Sequence, residues 1–176
     1  MKTLEDQLSS YAAYHRDSRN IATHLVGIPL IVLALVTLLS RPALPWAGLV
    51  LSPALLVSVV AALYYLRLDR GLGALMAGLL ALCLVVGAWA AALPTALWLS
   101  MGVGGFVLGW VFQFVGHFWE GRKPAFVDDL MGLVIGPLFV VAEVLFWLGW
   151  RRPLQQRIEA RVGPLRRGRA EPVSQA

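Results

Sequence analysis

An all-α membrane bundle is the fold class that this sequence predicts, and three observations carry it. Of 176 residues, 59% are hydrophobic and 14% charged, against about 25% charged in an ordinary soluble domain. Apolar residues also run in tracts, at 21–40, 46–66, 72–119 and 130–150, and a membrane helix needs roughly 20 such residues in a row. Those tracts are nearly free of charge, with His24 and Glu143 as the ionisable exceptions among them apart from His117. The prediction is four spans plus a fifth that either crosses or re-enters as a broken helix, preceded by an amphipathic helix. Residues 1–150 then make one membrane-embedded domain, and 151–176 a basic, flexible cytoplasmic tail.

Thr3 is the N-cap of the first helix, with Glu5 and Asp6 in its first turn, where carboxylates meet the positive end of the helix dipole. Leu4, Leu8, Tyr11 and His15 share one face at spacings of four, three and four, so His15 lies on the apolar side. The stretch Asp17-Ser18-Arg19-Asn20 breaks this helix and offers caps for the first span. With no cleavable leader in view, that span is expected to stay as an anchor. Asn20, His24 and Gly27 fall on one stripe of it, Gly27 admitting a close neighbour.

Arg67-Leu68-Asp69-Arg70 is a short polar turn that makes the second and third spans antiparallel, and Leu93-Pro94 divides the long tract 72–119 in two. Small residues Gly73, Ala77, Gly78 and Ala81 serve helix packing, as does the lone Cys83. The fourth span ends in Gln113, His117 and Glu120, three polar residues on one face with Gly109, which is not a lipid-facing pattern. Gly121 to Pro124 turn the chain, and Asp128 and Asp129 begin the next helix. In that last tract Gly136-Pro137 is expected to kink or divide the helix, and Glu143 is costly in a bilayer.

Topology follows from basic residues. If every tract spans, the 15 Lys and Arg split almost evenly between the two sides. If the last tract re-enters, all but Arg41 fall on one side, the arrangement that the positive-inside rule favours. In both arrangements His15, His24 and His117 share a side, read as cytoplasmic. The net charge of +5 rests largely on the arginine tail, which suits anionic lipid headgroups and needs no nucleic acid.

His15, His24 and His117 are the chain's only three histidines. Imidazoles bind iron, zinc, copper and nickel, and two histidines with a carboxylate make the open iron site of many oxygenases. With Glu120 nearby, a three-histidine and a two-histidine-one-carboxylate set can both be written. Asn20 and Gln113 are natural hydrogen-bonding neighbours of such imidazoles or of a bound ligand.

Tyr11-x3-His15-x4-Asn20-x3-His24-x2-Gly27-x-Pro29, then Gln113-x2-Gly116-His117-x2-Glu120-x3-Pro124-Ala125, and later Gly136-Pro137 and Glu143, resemble the small membrane-protein family of the fungal 2-hydroxy fatty acid dioxygenase. The likeness covers about residues 4 to 150. It implies an Fe(II) enzyme that uses O2 as co-substrate to shorten 2-hydroxy fatty acids by one carbon, with His15, His24 and His117 as iron ligands. On that reading Glu120 and Glu143 are catalytic, and Arg122, Lys123, Gln113 and Asn20 bind substrate. The Ala-, Leu- and Arg-rich composition points to a bacterial inner-membrane member. From a different class, the alternative is a non-catalytic lipid-binding or transport protein whose polar cluster joins helices. Bound iron separates the two.

Overall fold

In the computed structural model of the chain, residues 2–46 and 49–166 are described. Thr3 starts helix α1 (Leu4–Ala12) through a capping box. Its hydroxyl accepts from the Asp6 N–H at 3.2 Å, and the Asp6 carboxylate accepts from the Thr3 N–H at 3.0 Å. Leu4, Leu8 and Tyr11 are buried, as their shared face predicts, and His15 just past the helix is buried with them. The chain breaks over residues 13–17, slightly earlier than expected. Asp17 then caps α2 (Ser18–Ser40) by accepting from the Arg19 N–H at 2.9 Å.

The second apolar tract is not one span-length helix, which corrects the expectation for 46–66. Strands β1 (Leu44–Trp46) and β2 (Leu49–Leu51) pair antiparallel, Leu44 facing Leu51. Helix α3 (Pro53–Leu68) begins only where Ser52 caps it and Pro53 supplies a preset first turn. Its 16 residues reach about 24 Å at 1.5 Å each, short of the roughly 30 Å hydrocarbon core. Asp69 caps α4 (Arg70–Ala91), accepting from the Leu72 N–H at 2.8 Å. α3 and α4 are neighbours, and Gly73 permits the contact, since a Cβ there would strike the Leu66 backbone.

Pro94 opens α5 (Thr95–Glu120) where the long tract was expected to divide, and Ser100–Gly104 forms a π-helical turn within it. After a short 3-10 turn at Ala125–Val127 comes α6 (Met131–Trp147). α6 runs unbroken through Pro137, so the expected division at Gly136-Pro137 is corrected. The bend lies beyond Trp147, where Gly149 (φ 81°) and Arg151 (φ 56°) take left-handed backbone. It turns the chain by 115° into α7 (Arg152–Val162). Within the segment read as a flexible tail, then, residues 152–162 are helical. Residues 167–176 lie outside the described residues.

The chain forms two compact units, one of residues 2–26 and 111–166 and the other of residues 27–110. Among the described residues α2, α4 and α5 are long and apolar enough to cross a membrane, and the bent pair α6–α7 can make one more broken or re-entrant span. That makes three to four candidate spans in an all-α architecture, against the four plus a fifth expected from sequence. Bare apolar side chains fit this setting: Phe118 is 82% and Trp147 87% exposed, a surface suited to lipid rather than water.

In the first unit α7 lies on α1. Arg157 bonds Glu5 at 2.7 Å and Arg161 bonds Asp6 at 2.9 Å. Residues 157–161 therefore sit at the same level as the start of the chain.

Candidate metal centre

Three imidazoles meet in the first unit, each brought by a different part of the backbone. His15 comes from the turn after α1, His24 from the second turn of α2, and His117 from the last turn of α5. All three are buried, His15 completely. The ring of His15 lies 4.6 Å from His24 and 5.0 Å from His117, centroid to centroid, and His24 and His117 are 5.0 Å apart. One nitrogen from each lies within 4.8 Å of the others.

Hydrogen bonding fixes which nitrogens are free. His15 Nδ1 is 2.7 Å from the Tyr11 carbonyl and His24 Nδ1 is 2.9 Å from the Asn20 carbonyl. A carbonyl only accepts, so each Nδ1 carries the hydrogen and donates it. Each Nε2 is then a bare lone pair, and the two stand 3.2 Å apart. Burial, reinforced by neighbouring His24, pushes protonation of His15 well below its ordinary range, which leaves the neutral, metal-binding form.

Two lone pairs at that distance repel unless a cation lies between them. Ligand nitrogens about 2.1 Å from one ion stand about 3.0 to 3.4 Å apart in octahedral or tetrahedral geometry. The observed 3.2 Å falls in that interval. His117 adds a buried Nδ1 with no hydrogen-bond partner among the described residues. The residues present fit a metal ion.

Gly116 allows this convergence, because a Cβ on it would collide with Thr23 Oγ1 and Asn20 Oδ1. Tyr11 backs the site. Its ring stacks on His15 at 4.1 Å and 6°, and packs on Phe139 at 4.9 Å. A cleft of about 340 Å³ reaches the same ring, lined by Gln7, Ser10, Tyr11, Tyr14, Met131 and Ile135 among others.

The remaining sequence-predicted residues divide. Asn20 and Gln113 are buried, and Asn20 Oδ1 and Gln113 Nε2 have no hydrogen-bond partner among the described residues. Glu120 is buried, and both of its oxygens accept hydrogen bonds. Its Oε2 accepts from the backbone N–H groups of Arg16 (2.9 Å) and Asp17 (2.8 Å) and from Asn20 Nδ2 (3.0 Å), while Oε1 meets Arg166 at 2.6 Å. Arg122 bonds the Ala13 carbonyl at 2.9 Å. Lys123 pairs with Asp128, holding that carboxyl below its ordinary value, and the Tyr14 hydroxyl adds to the effect. Glu143 is half-buried on α6. It is felt at Arg16, whose guanidinium burial pulls below its ordinary value while Glu143, Glu159 and Glu120 oppose the shift.

Sequence reading missed Arg16 and Arg166 as parts of this neighbourhood, and it used Tyr11 only as part of a helix face and a motif. Arg16 Nη1 bonds the Gly163 carbonyl at 2.8 Å, and its Nε bonds the carbonyls of Ala12 and His15. Nothing local marks Arg166, which reaches Glu120 across 46 positions.

Residues 1–148 match the family model described as "2-hydroxy-palmitic acid dioxygenase Mpo1-like". The chain is similar to the 2-hydroxy-palmitic acid dioxygenase MPO1 of Saccharomyces cerevisiae, 32% identical over 158 residues, which cover 89% of this chain and 87% of the yeast protein. No solved structure matches it. Carrying the histidine motifs within the matched region, the chain belongs to the Mpo1-like family.

Proposed function

We propose that this chain is an Fe(II)-dependent dioxygenase that shortens 2-hydroxy fatty acids by one carbon at the edge of a membrane. A role in 2-hydroxy fatty acid metabolism follows from the family. One observation carries the finer reading: the two bare Nε2 atoms of His15 and His24 at 3.2 Å, with His117 completing the set. Three neutral imidazoles suit Fe(II) and leave positions for other ligands.

His15, His24 and His117 would hold the iron, and the bound metal would supply the one-electron steps that O2 chemistry requires. The overall change balances without a further reductant. One O2 converts the hydroxy acid to the acid one carbon shorter, carbon dioxide and water, breaking the bond between the carboxyl carbon and C2. Asn20 Oδ1 offers an acceptor and Gln113 Nε2 a donor that no described group uses. These suit the substrate hydroxyl and carboxylate. The cleft that Tyr11 helps to line suits part of the acyl chain, and the Tyr11 ring steadies His15 beside it.

Glu120 holds the loop between His15 and Asn20 by two backbone N–H groups and the Asn20 side-chain amide, so we assign it the loop rather than a fourth position on the metal. Glu143, half-buried on α6, remains a candidate proton carrier for the reaction. Arg122 and Lys123 remain candidates for drawing an anionic headgroup toward this edge. The ion pairs between α7 and α1 support a common side for the amino terminus, the histidines and the basic segment. We read that side as the cytoplasmic face of a bacterial inner membrane.

Purified protein loaded anaerobically with Fe(II), then given 2-hydroxy palmitate and air, should yield the 15-carbon acid by mass spectrometry. Folded protein that holds stoichiometric iron and leaves the substrate intact would refute the reaction. Protein that takes no iron and still binds lipid would favour the non-catalytic reading.

A further inference from the structure

The family match ends at residue 148, yet the chain beyond it bonds the loop that follows His15. From α7 the backbone runs over the loop that joins His15 to α2. The Gly163 carbonyl takes Arg16 Nη1 at 2.8 Å, the Arg166 N–H donates to the Arg16 carbonyl at 2.7 Å, and the Ser18 N–H donates to the Arg166 carbonyl at 3.0 Å. Asp17 and Arg166 pair as a parallel β-bridge. The Arg166 side chain then reaches past the loop to Glu120 Oε1 at 2.6 Å.

Loop residues 16 and 17 are thus held from two directions. Glu120 Oε2 takes their N–H groups on one side, and residues 163–166 pair with them on the other. This loop sets the spacing of two imidazoles. His15 immediately precedes it, and Asn20, whose amide also bonds Glu120 and whose carbonyl orients His24, follows it closely. The Glu120 side chain is 1% exposed, and a carboxylate buried that deeply is tolerated only with charge and hydrogen bonds to compensate it. Arg166 is the group that meets Oε1.

We propose that Arg166 is a positioning residue of the metal centre, and that residues 163–166 form a strap which, through Glu120 and loop 16–18, sets the 3.2 Å approach of His15 to His24. The inference rests on the metal-binding reading above. It gives a segment beyond the family match a part in the site.

The test compares full-length wild type, Arg166→Ala, Arg166→Lys and Arg157→Ala. Arg157 also belongs to the α7–α1 contact but has no bond to Glu120, so its variant controls for general loosening of α7. Co(II) is titrated into metal-free protein in detergent. Affinity is read by chelator competition and ligand geometry by the visible absorption of bound Co(II). Groups that orient metal ligands typically contribute 10- to 100-fold in affinity. Arg166→Ala should weaken Co(II) by about that factor and alter its spectrum, Arg166→Lys should recover most of both, and Arg157→Ala should match wild type.

Hydrogen exchange in the metal-free proteins gives a readout independent of any ion: protection of the amides of residues 16–18 should fall in Arg166→Ala and return in Arg166→Lys. Wild-type affinity, spectrum and protection in Arg166→Ala would overturn the strap while leaving the metal site standing, as would equal losses in Arg157→Ala. A wild-type protein that binds neither Co(II) nor Fe(II) would overturn both the strap and the reading beneath it.

Discussion

His15 and His24 face each other through Nε2 at 3.2 Å, each having given its Nδ1 hydrogen to a backbone carbonyl four residues earlier. The two carbonyls act as fixed anchors, since no side-chain substitution removes them. Their separation of nine positions would place the rings on opposite sides of one continuous helix. The break at 13–17 lets the end of α1 return to the start of α2 and brings the rings together.

Replacing any one of His15, His24 or His117 with Ala should abolish turnover and reduce bound iron to trace levels, because water is a poor substitute for a lost imidazole. Asn20→Ala and Gln113→Ala should fall between these and wild type, with losses of about 10- to 100-fold. Metal content by plasma spectrometry and product by mass spectrometry decide the matter on variants that elute as wild type does. Full iron in folded His15→Ala and His117→Ala would dissolve the proposed centre.

Tyr11 separates a packing role from a polar one. Tyr11→Phe keeps the stack on His15 and the contact with Phe139, so iron should stay at the wild-type level. A fall in turnover with iron intact would place the hydroxyl in contact with substrate. Tyr11→Ala removes a buried ring, and truncations of this kind cost about 3 to 5 kcal/mol. That variant should lose both stability and iron, and an unchanged melting temperature would contradict the burial.

Much of this centre was legible because its parts repeat local rules. Thr3 as a cap, the face shared by Leu4, Leu8 and Tyr11, and the division at Pro94 all follow from spacing and backbone chemistry, and the structure has each of them. The second tract misled because apolar content cannot separate a hairpin from a helix end. Pro42 and Pro45, followed by Ser52-Pro53, were the signals for a later helix start. Gly136-Pro137 does not divide its helix, since α6 carries Pro137 in its interior, and the chain turns by 115° after Trp147, where glycine and a left-handed arginine permit it. The contact between Arg166 and Glu120 obeys no local rule. It exists only once α7 has folded back on α1.

Acid should loosen α1 within a defined window. The Thr3 backbone N–H, then its hydroxyl and then Arg161 hold the Asp6 carboxyl down to about 2. A depressed value means that the stabilisation is complete above the unfolded carboxyl value of about 3.9 and is lost as pH falls toward about 2. Protection factors of the first-turn amides of α1 should therefore hold from neutrality to about pH 4 and drop below it. Asp6→Asn should show the loss already at neutral pH. Protection that disappears near pH 6 would assign the effect to another group.

Ion pairs also predict topology. Arg157 on Glu5 at 2.7 Å and Arg161 on Asp6 at 2.9 Å require the carboxyl-terminal helix and the amino-terminal helix to share a membrane side. In a Cys83→Ser background, Ser10→Cys and Ser174→Cys should both react with an impermeant thiol reagent only after cells are opened. Ser174 lies outside the described residues. Labelling of that cysteine in intact cells, with the one at position 10 protected, would show that α6 crosses and would contradict the ion pairs.

Glu120 discriminates between a fourth metal ligand and an organiser of the loop. As a ligand it would need an oxygen free for the ion, whereas its two oxygens already accept from Arg16, Asp17, Asn20 and Arg166. Glu120→Gln preserves shape, removes the charge and turns an N–H₂ group toward donors, so at least one of those bonds is lost and repulsion replaces it. Hydrogen bonds to charged groups contribute about 1.5 to 3 kcal/mol each, and the ion pair adds less, because the Arg166 side chain is 47% exposed and screened by solvent. The metal-free Glu120→Gln protein should therefore unfold several degrees below metal-free wild type, with iron affinity reduced as a consequence. A simple ligand predicts the opposite pattern: equal stability of the two metal-free proteins and a loss seen only on adding iron. Melting both proteins with and without metal separates the cases, and equal metal-free melting temperatures would return Glu120 to the coordination sphere.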